Sequence, residues 1–206
     1  MIQSASDSRS GVVFLRGQKV ILRPLDKERD LDPLQRWIND PEVNQFLLAH
    51  RPITPTGEAK WLDGLEERDD VVLGIETLDG SFIGTMGLHQ FSWKDRIATT
   101  GALIGEKRYW GQGYGTDAKM TLLDYAFNTL NLRKICSSVL AFNERSLQYN
   151  LHCGYRIEGR RKDQFFRNGQ YWDEIILGLF KEDWLPIWER YQRTGSVYDE
   201  ASETSS

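Results

Sequence analysis

At 206 residues, with 40% hydrophobic positions, 27% charged positions and a formal net charge of −4, the sequence has the size and composition of one folded domain with a sizeable core. The acidic balance argues against an extended nucleic-acid partner, whose phosphates call for a basic surface, and suits a small cationic substrate. The longest apolar run, Ile175 to Phe180 with Gly178 inside it, is far below the roughly 20 residues of a membrane span.

The first eleven residues and the stretch 194–206 are rich in Ser, Asp, Glu and Gly, too polar to offset their ordering entropy, and are expected as flexible tails around a single domain, 12–193. The N-terminus has no apolar leader, and only Cys136 and Cys153 are available for a disulfide, so a reducing, cytoplasmic setting without a membrane partner is expected.

In chain order, "KVILRPL" reads as a strand. Asp30 to Leu48 places Leu31, Leu34, Trp37 and Ile38 at helical spacing and is interrupted by Pro41, so a helix, a break and a short second helix are expected. A further helix begins near Thr56, with Ala59, Leu62 and Leu65 on one face and a charged outer face from Glu58 to Glu67. "VVLGIETLDGSFIGTMGLHQF" reads as two strands turning at Asp79-Gly80, and "RIATTGALIG" as a third. Ala118, Leu122, Leu123, Ala126, Phe127 and Leu130 then repeat at three- and four-residue intervals, predicting a helix over 116–130. "KICSSVL" is a strand, Glu144 to Cys153 a helix stopped by Gly154, and the segment after it two strands joined at Asn168-Gly169. Together these elements predict a mixed α/β sheet domain.

The segment "EKRYWGQGYGTDA", Glu106 to Ala118, carries glycine at 111, 113 and 115 just before the strongest helix. Bare backbone there lets successive N–H groups converge on an anion at a helix N-terminus, where the dipole also favours negative charge; a tight turn that needs only positive φ is the plainer use of the same glycines. A dinucleotide fingerprint would need glycine where Thr116 stands, and no Gly-Lys-Ser/Thr follows for a P-loop. His50, His89 and His152 are scattered, the cysteines lack ligand spacing, and no Gly-x-Ser-x-Gly turn occurs, so neither a metal nor a covalent nucleophile is implied.

The stretch "WGQGYG" resembles the acyl-coenzyme A loop of the GNAT acetyltransferase superfamily, with Gly113 and Gly115 in the glycine places and Trp110 where Arg or Gln is usual. Trp110, and the strand end Ile104-Gly105 before it, are similar to the RimJ/RimL-like branch. The resemblance runs from about Lys19 to Trp184 and continues through "NERSLQYNLHCGYRIEG" and "NGQYWDEIILGLFKEDW".

It implies a mostly antiparallel sheet, splayed at the cofactor slot and flanked by helices, and an acetyl-CoA-dependent N-acetyltransferase acting on a primary amine: a protein N-terminal α-amine, a polyamine or a small amine. Carried over, Leu103, Ile104 and Gly105 pair with the pantetheine amides. The backbone of Gly111, Gln112, Gly113, Tyr114, Gly115 and Thr116 holds the pyrophosphate, with Trp110 at the head of the loop and Lys107 and Arg108 on the outer phosphates. Asn143 contacts coenzyme A, and Ser146 lies near the sulfur as proton donor to the leaving thiolate; helix capping is the ordinary use of both residue types there. Relatives often place a Tyr four residues before the helix-ending glycine, here Asn150, with Tyr149 beside it. His89 is the expected base, with Glu106 and Asp173 as alternatives; the Glu of some relatives is Thr99 here. These departures keep a non-catalytic acyl-CoA sensor open as the alternative. The seven tryptophans, Trp93, Trp172, Trp184 and Trp188 among them, are expected in the core, the acceptor cleft or a homodimer surface.

Overall fold

The structure, a computed structural model, describes residues 12–198. The expected N-terminal tail, 1–11, lies outside the described residues. A short edge strand β1 (Leu15–Arg16) and β2 (Val20–Pro24) lead into α1 (Lys27–Asn39), α2 (Pro41–Asn44) and α3 (Pro55–Asp63). Each helix opens on a side-chain cap: Asp26 accepts from the Glu28 N–H, Asp40 from Glu42 and Thr54 from Gly57. Pro41 and Pro55 sit in first turns, where no N–H is required.

Strands β3 (Val71–Thr77), β4 (Phe82–Ser92) and β5 (Ile97–Ile104) follow as an antiparallel meander. A 3-10 turn (Lys107–Tyr109) and the glycine loop then lead to α4 (Tyr114–Asp124), which relaxes into a π-helical turn (Tyr125–Thr129). The chain is completed by β6 (Lys134–Leu140), α5 (Glu144–His152), the hairpin β7 (Arg156–Arg167) and β8 (Gln170–Phe180), and α6 (Lys181–Thr194). Asn168 and Gly169 have φ of 51° and 82°, the paired positive values that a tight hairpin turn demands.

One eight-stranded sheet in the order β1-β2-β3-β4-β5-β6-β8-β7 carries all strands. Its single parallel contact, β5 with β6, lasts for three pairs, Ile97↔Lys134, Ala98↔Ile135 and Thr99↔Cys136. Beyond Thr99 and Cys136 the strands part, although β5 runs on to Ile104 and β6 to Leu140. The mostly antiparallel, splayed sheet is therefore as expected.

Two apolar layers cover the sheet. Met86, Leu88, Ala98, Leu122, Phe127, Cys153 and Trp184 join one core with α4, α5 and α6. Leu34, Trp37, Val43 and Leu62 of α1–α3 form the other, against Phe82 and Leu103. Ile104 packs in the first layer and Leu103 in the second, so the alternation along β5 divides the two faces.

The structure differs from the sequence reading in four places. Residues after 180 form α6, which buries Trp184 fully and stacks it on Trp188 at 5.3 Å. The described start of the expected C-terminal tail is packed: Val197 is 7% exposed within the core. Glu58, read as part of a charged outer face, is 5% exposed, and burial raises its carboxyl pKa. The helix expected over 116–130 begins at Tyr114 and is α-helical only to Asp124.

Candidate active site

Where β5 and β6 part, a cavity of about 530 Å³ opens between β5, the glycine loop, the start of α5 and the residues after α6. Ala102 and Ile104 supply the strand wall; Trp110, Gly111, Gly113, Gly115 and Thr116 the loop; Asn143, Ser146 and Tyr149 the helix wall. The loop and the α5 residues predicted from the sequence therefore converge on one space.

The loop glycines differ in their roles. Gly111 and Gly113 take φ of 73° and 83°, a region that side-chain-bearing residues rarely enter. Gly113 caps α4, and the first bond back along the helix runs from the Asp117 N–H to the Gly113 carbonyl, so the N–H groups of Tyr114, Gly115 and Thr116 precede the intrahelical ladder. Asp117, fully buried, fixes this turn: it accepts from the N–H groups of Gln18, Lys19 and Val20 at 3.0, 2.7 and 2.9 Å, and from the Tyr191 hydroxyl.

On β5 the expectation of three pantetheine partners is corrected. The Gly105 N–H bonds to the Ile83 carbonyl at 2.9 Å, and Leu103 shares that orientation by alternation, so both spend their backbone on β4. Ala102 and Ile104 face the gap instead, and the Ile104 carbonyl accepts from the Trp110 indole at 2.7 Å. Gly105 has a separate reason to be glycine: a Cβ there would lie 2.0 Å from the Trp37 ring.

Lys107 and Arg108, expected on the phosphates, lie outside the cavity lining. Lys107 is paired with Asp40 at 2.9 Å and Glu42 at 2.5 Å, and Arg108 lies 3.7 Å from Glu106 and over the Tyr109 ring. Two cations that sequence reasoning missed line it instead. Lys19 reaches across from the β1–β2 turn to the Gln112 carbonyl at 2.9 Å, and Arg145 stacks on Trp110 at 4.0 Å. Neither has a carboxylate partner among the described residues. Gln112 and Tyr114, also expected on the pyrophosphate, lie outside the cavity lining: the Gln112 carbonyl holds Lys19, and the Tyr114 ring packs edge-on against Tyr109.

Asn143 caps α5, accepting from the Ser146 N–H at 3.2 Å, and both side chains face the cavity. Capping and ligand contact are thus compatible here. Tyr149 donates its hydroxyl to the Gly115 carbonyl at 3.2 Å, and burial pushes its pKa well above the usual tyrosine range.

The three base candidates lie outside the cavity lining. Asp173 accepts from the Asp163 N–H at 2.8 Å and from Arg160, which together hold its pKa below the usual value; it is a weak base. Glu106 is engaged by Trp37 at 3.2 Å and Arg36 at 3.1 Å. His89 stands on the opposite face of β4–β5, its Nδ1 3.3 Å from Asp70. Its Nε2 lies over Gly87 and Gly101, where added Cβ atoms would meet it at 2.8 and 3.3 Å. The two glycines leave room for the imidazole beside Asp70.

The arrangement fits a long anionic ligand with an amide-bearing arm: a strand edge past its last β6 pair, first-turn N–H groups, and two cations without a carboxylate partner among the described residues, around one cavity. The acetyltransferase (GNAT) domain model matches residues 19–156. Spermidine N(1)-acetyltransferase of Escherichia coli K12 is 30% identical over 171 residues, covering 81% of this chain and 88% of that one. An uncharacterized N-acetyltransferase, p20, of Bacillus licheniformis is 26% identical over 176 residues, 81% of this chain and 96% of that one. The crystal structure of spermidine N-acetyltransferase from Vibrio cholerae, in complex with CoA and spermine, superposes with a TM-score of 0.75 at 23% identity, covering 81% and 98%.

Proposed function

The chain belongs to the acetyltransferase (GNAT) domain family, and is an N-acetyltransferase that takes its acetyl group from acetyl-CoA; from that premise we propose that it acetylates a short aliphatic polyamine, with a protein N-terminal α-amine or another small amine as the second reading. The observation that carries acyl transfer is the fork after Thr99 and Cys136, which opens onto a loop whose last N–H groups precede the α4 ladder. The polyamine reading is supported by the relation to a spermidine acetyltransferase and by Asp69 and Asp70, which bring two carboxylates beside His89 and Trp93. Assignment to the RimJ/RimL-like branch is supported by "WGQGYGTDA" with Trp110. The sensor alternative is not carried forward, since the family is one of N-acetyltransferases.

In this mechanism the amides of Gly111 to Thr116, with Lys19 and Arg145, bind the phosphates, while Ala102 and Ile104 hold the amide-bearing arm. Bound acetyl-CoA supplies a thioester that an amine attacks directly. Ser146 donates its hydroxyl hydrogen toward the sulfur, and the attacking amine, entering from the opposite face of β4–β5, gives its proton to His89 beside Asp70. Catalysis comes chiefly from positioning and from dipoles aimed at developing charge. The described residues, through Val197 and Tyr198 beyond α6, act as a single domain in this reading, in a cytoplasmic protein that forms a homodimer.

The test is thiol release from acetyl-CoA in the presence of spermidine, peptides and aminoglycosides, alongside calorimetric titration of the cofactor. Release with spermidine is expected; release with peptides alone transfers the assignment to an α-amine. Ser146→Ala should lower turnover while leaving the cofactor Kd within about twofold, and unchanged turnover removes Ser146 as donor.

A further inference from the structure

Lys119 projects from α4 into the interior and is 1% exposed. Its ammonium donates to Thr100 Oγ1 at 2.9 Å and Asn150 Oδ1 at 3.1 Å, and lies 5.1 Å from the Tyr149 ring centroid and 4.9 Å from that of Tyr155. No carboxylate pairs with it among the described residues. The titratable groups facing it are Tyr149 of α5, and Cys153 and Tyr155 just beyond it, and burial raises the pKa of all three. Burial also lowers the Lys119 pKa to about 8, opposed by Cys153.

Its position ties this cation to the cavity. Thr100 is the first β5 residue past the last β5–β6 pair and shares a face with Ala102, which lines the cavity. Asn150 is one turn beyond Ser146 and donates to the Ser146 carbonyl at 2.8 Å. The ammonium is therefore held by the next residue inward on each wall, behind Tyr149, at the closed end of the slot. A buried cation with neutral acceptors but no counter-charge is an incomplete electrostatic pair.

We propose that Lys119 is a positioning residue for acetyl transfer, whose positive charge at the closed end of the slot stabilises the thiolate that leaves. During transfer the acceptor nitrogen bonds to the carbonyl carbon, the carbon–sulfur bond breaks with its electron pair on sulfur, and the proton of the acceptor passes to the base. Lys119 keeps its own protons and supplies field alone, complementing the hydroxyl of Ser146, which carries no charge. This rests on acetyl-CoA occupying the slot.

The test reads the thiol of bound coenzyme A by its ultraviolet thiolate absorbance across pH, in the wild type, Lys119→Met and Asn150→Asp. The wild type should hold that thiol roughly 1–3 units below the free value near 8.5. Both variants should return most of that shift, Met by removing the charge and Asp by neutralising it with the lysine kept in place. Thermal unfolding checks that Lys119→Met folds; should it not, Asn150→Asp carries the test. Binding with the same thiol pKa in wild type and variants overturns the role of Lys119 alone. Failure of the wild type to bind coenzyme A overturns the slot reading beneath it.

Discussion

The cofactor side of the β5–β6 fork and the helical layer on the opposite face are built from similar residues, yet they differ in how their charges are matched. In the helical layer, Arg23 is bidentate to Asp30 and bonds Glu76, Lys107 bridges Asp40 and Glu42, and Glu106 is engaged by Arg36 and Trp37. On the cofactor side, Lys19, Arg145 and Lys119 have no carboxylate partner among the described residues, and the first-turn amides of α4 precede its ladder. Charges matched within the chain hold structure; in the proposed reading, those left unmatched beside the cavity meet a ligand.

The largest effect that tests this contrast is expected at Arg23, which is 1% exposed. Asp30→Ala removes two of its charge-assisted bonds and leaves a buried guanidinium underpaired, costing about 3–5 kcal/mol of stability. Denaturant unfolding checks the loss, while the Kd for coenzyme A of the folded fraction should stay unchanged. A fall in affinity larger than the unfolded fraction explains would break the division between the two regions.

The second effect has a defined pH window. Lys119 titrates near 8 in the folded chain and at its ordinary 10.5 when unfolded. Below pH 8 it is charged in both states, and the folded state bears the whole burial penalty. Between 8 and 10.5 the folded chain has lost a proton that the unfolded chain retains, so this residue's contribution to stability rises with pH. The wild type should therefore gain about 3 kcal/mol relative to Lys119→Met across that window; a flat difference would show that the site does not depress this amine.

Much of this was legible in the sequence. Helical spacing located α1 and α4, and the dipeptides Asp79-Gly80 and Asn168-Gly169 located two hairpins, because those signals are local. No element was read over α6, which has Pro186 inside it, although Trp184, Trp188 and Tyr191 follow its inner face and stack in order. The glycine loop was legible, but its cations were not. Lys107 was a natural choice for phosphate until Glu42, 65 positions away, took it, and Lys19 joined the site from a turn 93 positions before Gln112. Lys119 lies between Ala118 and Leu122 of the apolar repeat and drew no reading, yet α4 is buried on nearly every side from Asp117 to Leu123. Spacing shows which face a residue occupies; pairing is settled by contacts the chain makes at long range.

A third prediction sharpens the loop itself. Gly113→Val places a β-branched residue at φ 83°, with its Cβ 3.3 Å from the Lys19 ammonium. The strain, about 1–3 kcal/mol, should appear as a five- to hundredfold loss of coenzyme A affinity by calorimetry. Gly115→Ala is the control: its φ is ordinary and its Cβ would make only normal contacts, the nearest at 3.6 Å. Equal losses at both positions would mean that the bare surface, and not the turn geometry, is what the ligand needs.

The smallest effect discriminates most directly, because it compares cations of one loop neighbourhood. Arg145→Ala and Lys19→Ala each remove an unmatched charge lining the cavity, and each should weaken coenzyme A binding roughly tenfold, with a shallower dependence on salt than the wild type. Lys107→Ala removes a charge already matched by Asp40 and Glu42, and should leave affinity unchanged. Sequence position alone would rank Lys107 first, since it lies four residues before Gly111 while Lys19 and Arg145 are far off. The reverse ranking follows only if a ligand's phosphates are drawn to cations that the fold has left unpaired, and an affinity loss at Lys107 equal to that at Arg145 would show that proximity to the loop outweighs pairing.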